Sequence, residues 1–530
     1  MSAHPRVPLS VLDLAVVPAG GTGAQAVRAA VDLAVDLDRL GYRRVWYAEH
    51  HLSPGVGSAA PAVLAAAVAA RTRRIRVGSG AVLLSTTSPL VAAEQFGTIA
   101  ALHPGRVDLG LGRAAAPPDP GAARGTGAAP AARTALGARV VDGLYVPGPP
   151  PVAGTDSVLR ERLLAQHRVV GASRTPAPFR EELELVLGLR AGTYAAADGT
   201  RHVAPPVTGA DLELWVLASS AGESARVAGA LGLPLAANFH VSPATTLDTI
   251  AAYRAAFRPG ALDRPYVVVS ADVLVAPTTE HARALAAPFA DWVLSIRRGA
   301  AGAVPYPRPD DAVPWEARDA DERAVVADRV DTRVVGAPAD VVARLETLQR
   351  VTGADELLIT TATHDPADTR RSFALLAEAW GVTAGEADAD TPARGPAPGP
   401  ALRSPAEAAA AVADGALLVD VRSAGGRAAH GGIPDATVAD RTDLDALFGP
   451  AHAPVVSIDT PVVVVCGSVA GSGPVAEALA ARGYAVSHVA GGFPAWRDAG
   501  LPTEPPAGAV VPADPVGQPG PAALPAAGPR

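Results

Sequence analysis

The chain has 530 residues, 49% of them hydrophobic and 18% charged. That length predicts more than one domain, and that apolar content excludes global disorder. A net charge of −8 speaks against a nucleic-acid partner, no apolar run reaches the length of a membrane span, and a single cysteine rules out an intrachain disulfide and a cysteine-rich metal site. The first ten residues lack the apolar core of a signal peptide, so a soluble, cytoplasmic protein without a metal is the expectation. All 45 basic residues are Arg, a compositional bias that carries no functional information.

From the N-terminus, strand and helix patterns alternate. Leu9 to Val17 reads as a strand. Ala24 to Leu40 has helical spacing, with Val27, Ala30, Val31, Ala34 and Leu37 on one face, and Gly41 ends it. Arg44 to Ala48, Ile75 to Leu84 and Arg106 to Leu111 read as strands, with helices at Pro61 to Ala70 and Leu90 to Leu102 between them. After Arg113 the rhythm breaks. Residues 114–155 are dominated by Ala, Gly, Pro and Arg and read as a low-complexity insertion, disordered in preference to an active-site lid.

The alternation then resumes. Helices are predicted at Phe179 to Arg190, Gly222 to Leu231, Thr245 to Phe257, Thr279 to Arg297, Ala339 to Thr352 and Pro366 to Trp380. Strands are predicted at Leu212 to Ala218, Leu235 to Asn238, Tyr266 to Val275 and Glu356 to Thr361, and Gly299 to Val330 reads as irregular. Eight strands, each followed by a helix, predict an α/β fold of the (β/α)8 TIM-barrel type over residues 1–383, with the insertion after strand 4. Residues 384–402 read as a linker. Residues 403–504 read as a second, smaller α/β domain, with strands at Ala416 to Val421, Pro461 to Cys466 and Ala485 to Val489 and helices at Pro405 to Ala413 and Val475 to Arg482. Residues 505–530 read as a disordered tail.

A TIM barrel places its active site at the C-terminal ends of its strands. Strand 2 ends in Glu49-His50-His51. A metal cluster fits poorly, because adjacent residues at a strand end point in different directions. A base or hydrogen-bonding role fits His chemistry better, against the plainer reading of a His satisfied by loop carbonyls. Strand 5 ends in Ser219-Ser220-Ala221-Gly222-Glu223-Ser224, which opens a helix. Small residues, hydroxyls and a helix N-terminus make a phosphate site, although such a motif alone is usually an N-cap. Arg113, at the end of strand 4, is placed to add a bidentate contact.

Leu40 to His51 (LGYRRVWYAEHH), Ile75 to Leu84, Ala93 to Thr98 and His103 to Arg113 occur in an order that resembles the bacterial luciferase-like family of flavin monooxygenases, FMN-linked branch. The resemblance covers about Pro8 to Trp380. It implies reduced FMN reacting with O2 on a small organic substrate. It also implies a non-prolyl cis peptide at Gly80-Ala81 against the flavin, His50 as active-site base with His51 and Glu49 beside it, and Arg113, Ser219, Ser220, Gly222 and Ser224 around the flavin phosphate. The deazaflavin F420 is the less favoured cofactor. No G-x-G-x-x-G fingerprint follows a strand, so a separate flavin reductase is expected to supply the reduced flavin. A homodimer is expected from the resemblance alone.

In the second domain, Asp420-Val421-Arg422-Ser423, Gly431 to Ala436 and Gly491 to Trp496 resemble a rhodanese domain. Cys466 lies at the end of a strand, under a loop leading into a helix, where backbone N–H groups stabilise a thiolate. The resemblance implies a persulfide on Cys466. The family loop carries an Arg five residues after its Cys, and here that residue is Gly471. The bland alternative for Cys466 is burial as a small hydrophobe.

Overall fold

The computed structural model describes residues 5–113, 137–151, 157–170, 177–299, 301–382, 400–441, 444–448, 456, 460–481 and 484–506. Most of the linker expected at 384–402, most of the insertion and the tail beyond 506 therefore lie outside the described residues; the last two residues of that expected linker, Ala401 and Leu402, belong to a strand of the second unit. The chain divides into two compact units, residues 1–393 and 394–530.

The first unit is a closed parallel barrel. Its strands are β1 (Leu9–Asp13), β2 (Arg44–Tyr47), β3 (Arg76–Ser79), β4 (Val107–Gly112), β5 (Leu212–Ala218), β6 (Leu235–Ala237), β7 (Val267–Val275) and β8 (Glu356–Thr360). Each pairs with the next, β8 pairs with β1, and Val334–Gly336 adds a strand to the outside of β7. The helices on the outside are α1 (Gly23–Leu40), α2 (Pro61–Ala69), α3 (Pro89–Leu102), α4 (Ser157–Val170), α5 (Phe179–Ala191), α6 (Glu223–Ala230), α7 (Thr246–Ala256), α8 (Thr279–Ala286), α9 (Phe289–Arg298), α10 (Ala320–Thr332), α11 (Pro338–Thr352) and α12 (Pro366–Trp380). Local chemistry sets their ends. In α1 a capping box pairs Thr22 with Gln25, and Gly41, in the left-handed region, closes the helix.

Among the departures from the sequence pattern, which include the whole of α4, three bear on how the barrel is built. The long helix expected from Thr279 to Arg297 is two helices, because Pro288 interrupts the backbone hydrogen-bond ladder and becomes the N-cap of α9. The stretch read as irregular contains α10, capped by Asp319; its polar, charge-rich sequence hides the apolar stripe of Val325 and Val326. Part of the insertion is an ordered antiparallel hairpin, Arg139–Val141 with Leu144–Val146, which buries Leu144 and Val146 in the core. Its turn, Asp142-Gly143, has positive φ at both residues, the geometry of a tight two-residue hairpin.

Inside the barrel, alternate residues of each strand stack in layers. The lowest layer is ionic. Arg44 binds Asp108 at 2.7 Å, Glu356 at 2.7 Å and Glu213 at 3.2 Å, and Arg76 binds Asp108 at 2.6 Å. Trp46 and Tyr266 donate to Asp108 and Glu356 at 2.8 and 3.0 Å. Above it lies an apolar layer that includes Leu12, Trp46, Trp215, Val268 and Leu358. Gly78 leaves room for that layer, since a Cβ there would stand 2.9 Å from the Trp46 ring. The third layer, Leu14, Ala48, Gly80, Leu217, Ser270 and Thr360 among it, opens into a cavity.

The second unit has a parallel sheet of β9 (Ala401–Arg403), β10 (Leu417–Asp420), β11 (Thr437–Val438), β12 (Val462–Val465) and β13 (Val486–Val489), in the order β9-β13-β12-β10-β11. Its helices are α13 (Pro405–Ala413), α14 (Ala424–His430), α15 (Asp445–Phe448), α16 (Val469–Ala481) and α17 (Gly492–Asp498). Helix α16 begins six residues before the Val475 at which the sequence pattern starts it, and contains Pro474.

Burial opposes the charged form of Asp108, but Arg44 and Arg76 outweigh it and hold its carboxyl below the ordinary value. Its contribution to stability is therefore present above the usual carboxylate range and is lost as pH falls through the lowered value. Asp108→Asn leaves the buried Arg44 and the half-buried Arg76 short of a partner and should cost about 3–5 kcal/mol in urea unfolding at neutral pH. An unchanged midpoint would show that this ionic layer contributes nothing to stability.

Candidate active site

A cavity of about 500 Å³ opens at the C-terminal ends of the barrel strands. Glu49, His50, Gly80, Ala81, Arg113 and Ser219 all line it. The Gly80-Ala81 peptide is cis. One wall has little side chain: Gly80, Ala81, Gly112, Ala236 and Ala237 bring backbone to the cavity surface. Gly110 permits this, since a Cβ there would come within 2.0 Å of the Ser79 carbonyl oxygen. A flat, backbone-lined wall suits a planar ring, and the volume is that of a cofactor site.

The three residues of the Glu49-His50-His51 segment separate. Glu49 is pinned: it accepts from the Leu83 N–H at 2.9 Å and the Thr86 hydroxyl at 2.6 Å, and pairs with His51 Nε2 at 2.8 Å. His51 lines a second cavity, with Leu52, Val63 and Thr86. His50 alone of the two imidazoles faces the central cavity. The Ser58 carbonyl holds its backbone N–H at 2.9 Å. Removal from bulk water, and then the neighbouring His51, lower the His50 pKa, with Glu49 pulling the other way. His50 is an exposed residue, so water still reaches it, and its lowered pKa favours the neutral imidazole that can accept a proton.

The loop after β5 leads into α6, whose N-cap is Gly222 and receives no side-chain cap. Ser219 lines the cavity; Ser220, Gly222 and Ser224 sit in this loop and first turn without lining it. An uncapped helix N-terminus beside a hydroxyl leaves N–H donors that can receive an anion. Arg113 stands across from it, bound to Glu223 at 2.7 Å and lying over the Phe179 ring. That ion pair is exposed and so is readily exchanged for another anion.

The cavity also holds polar groups that the sequence pattern did not mark. Ser270 accepts from the Phe239 N–H at 3.1 Å and bonds His240 Nδ1 at 2.7 Å. The Ser270 hydroxyl also lies 3.4 Å from the Ala237 carbonyl, so its proton can go to that carbonyl or to Nδ1. Burial, then Arg329 and His50, push the His240 pKa down to about 3. Asp272, Arg329 and Trp292 complete the wall. Ser270 and Asp272 were findable as polar residues two apart in an otherwise apolar strand. Arg329 was not, because α10 itself was not.

In the second unit Cys466 follows β12 and is 7% exposed. Helix α16 starts so soon after it that the Gly471 and Ser472 N–H groups both donate to the Ser468 carbonyl, at 3.1 and 3.2 Å. A Cβ on Gly471 would stand 2.6 Å from the thiol sulfur. The sulfur therefore fills the space in which an Arg at 471 would begin. Arg422 is taken up by Asp420 at 2.5 Å and stacks 3.5 Å from the Phe493 ring centre. Among the described residues no three candidate ligands gather for a metal, and no helix is long and apolar enough to cross a membrane.

The lowered His240 pKa is open to direct measurement. In protein carrying 15N-labelled histidine, His240 should remain neutral from about pH 8 down to about pH 5. A protonation midpoint for His240 inside that range would contradict the lowered pKa.

The luciferase-like monooxygenase family model matches residues 7–145 and 164–356, and the rhodanese-like domain model matches residues 404–499. The uncharacterized protein YvbT of Bacillus subtilis (strain 168) is 36% identical over 373 residues, 70% of this chain and 96% of that protein. The crystal structure of apo-MsnO8 superposes with a TM-score of 0.55 at 32% identity, covering 71% of this chain and 99% of that one. The N-acetyl-S-alkylcysteine monooxygenase of Bacillus subtilis (strain 168) is 44% identical over 106 residues, 20% of this chain and 32% of that protein. The chain therefore belongs to the luciferase-like monooxygenase family, and carries a rhodanese-like domain after its barrel.

Proposed function

We propose that the barrel binds FMN, received in reduced form from a separate flavin reductase, and oxygenates a small organic substrate with O2. The observation that carries this reading is the cavity itself, where a backbone-lined wall with the cis Gly80-Ala81 peptide stands beside an uncapped helix N-terminus. The wall takes the ring, and the amides opening α6 take the phosphate, with Ser219, Ser220, Gly222, Ser224 and Arg113 around it. Reduced flavin, when bound, supplies the electrons that activate O2. The chain's own residues bind, orient and exclude water. His50, neutral and facing the cavity, is the base, and Glu49 with His51 fixes the backbone from which it projects.

Sulfur chemistry is proposed for the second unit, with Cys466 carrying a persulfide. The single cysteine of 530 residues stands at the end of β12 over the first turn of α16. The partial likeness to an enzyme named for S-alkylated cysteine supports a sulfur-containing substrate for the barrel as well.

Titration with reduced FMN, oxidised FMN and F420, followed by stopped-flow mixing with O2, tests the first reading. Reduced FMN should bind and be reoxidised by O2; tight F420 binding with no response to O2 would replace the monooxygenase by a deazaflavin enzyme. His50→Ala should keep flavin affinity and lose turnover by about 10²–10⁴-fold. For the second unit, cyanide should release thiocyanate from sulfur-loaded protein but not from Cys466→Ser. Equal release from both would remove Cys466 from sulfur transfer.

A further inference from the structure

Behind the wall of the cavity formed by β7 and α10, one buried carboxylate faces two guanidiniums: Arg329 lines this cavity, and Arg333 lines another on the far side. Two guanidiniums share one carboxylate: Arg329 Nη2 donates to Asp272 Oδ2 at 3.1 Å, and Arg333 Nε stands 3.9 Å from Asp272 Oδ1. All three side chains are at most 7% exposed. The neighbouring ion pairs do not offset the excess. Arg297 is matched by Asp328 at 2.5 Å, and Arg318 by Asp291 at 2.6 Å. The other carboxylate lining the cavity, Glu49, belongs to β2 and is held by Leu83, Thr86 and His51. His240 and His50 are neutral, an effect to which the charge of Arg329 contributes at His240.

Arg329 is also short of partners. Its Nε is shut from solvent without a hydrogen bond, and its contact to Asp272 is a single N–H. A buried guanidinium with most of its donors unused is costly unless something else uses them. The indole Nε1 of Trp292, which lines the same cavity, is likewise buried without a partner. The same cavity has an apolar lining that includes Leu14, Val16, Leu217 and Ile296. One positive charge in a planar fork, in a cavity so lined, is complementary to a monoanion with a flat head and an apolar body. The phosphate-binding loop of the proposed cofactor is elsewhere, following β5, two strands away round the barrel.

We propose that the substrate oxidised in the barrel is an amphiphilic carboxylic acid, and that Arg329 binds its carboxylate. The substrate role rests on the monooxygenase reading above; the carboxylate site is tested without flavin, so the two can fail separately. The probes are hexanoate and its neutral isostere hexanamide, titrated by calorimetry into the full-length protein. Hexanoate should bind at least about tenfold more tightly than hexanamide, the value of one charged hydrogen bond. Arg329→Gln should abolish that preference. Because Arg329→Gln also strips Asp272 of its partner, Asp272→Asn is the second variant: it frees Arg329 and should raise hexanoate affinity while leaving hexanamide unchanged. Equal binding of the two probes, no saturable binding of hexanoate, or a preference that survives Arg329→Gln would each overturn the proposal. Reduced FMN affinity in Arg329→Gln separates the remaining anion, the reduced flavin itself. Unchanged affinity is expected, and a loss of FMN binding with the hexanoate preference intact would assign Arg329 to the cofactor instead.

Discussion

Arg44 organises the barrel. Its guanidinium lies at the floor among Asp108, Glu356 and Glu213, contributed by strands β4, β8 and β5, and rests against the rings of Trp46 and Trp215. A cation in that position ties non-adjacent strands together across the interior, which backbone pairing cannot do. It also fills the lower end of the barrel with matched charge, while Trp46, Trp215 and their neighbours seal the layer above. The cavity can then open at one end only, the end where strand termini and loops supply chemistry.

The same two-residue alternation that places Arg44 at the floor places Ala48 at the cavity, four residues on, and His50 just beyond it. This is why so much was legible. Residues such as Asp108, Gly110 and Gly112 look like a glycine-rich strand in sequence, yet their alternation with Leu109 and Leu111 already separates an inward from an outward face. The family segments added the order of the strands. The cis peptide stands at Gly80-Ala81, where the resemblance implied it.

What was not legible depended on distance along the chain. Arg329 meets Asp272 across 57 residues, through a helix whose charged sequence shows no strong apolar period. His51 and His50 are adjacent and look equivalent, but only the fold shows that they face different cavities. The hairpin at 139–146 was lost in its Ala- and Gly-rich surroundings, although Asp142-Gly143 is a turn signal that could have marked it.

Gly471 sets a constraint on how the second domain could change. Its missing side chain is not spare volume, because the thiol sulfur of Cys466 already occupies the position of a Cβ. A side chain at 471 therefore requires the Cys466 thiol to turn about its Cα–Cβ bond, so a cationic substitution there also moves the sulfur. A chain acquiring affinity for an anionic sulfur donor through an arginine at 471 would thus re-aim its thiol in the same step. The placement of the charge and the direction of the sulfur are coupled through one contact, so a protein-engineering route to thiosulfate chemistry changes both together.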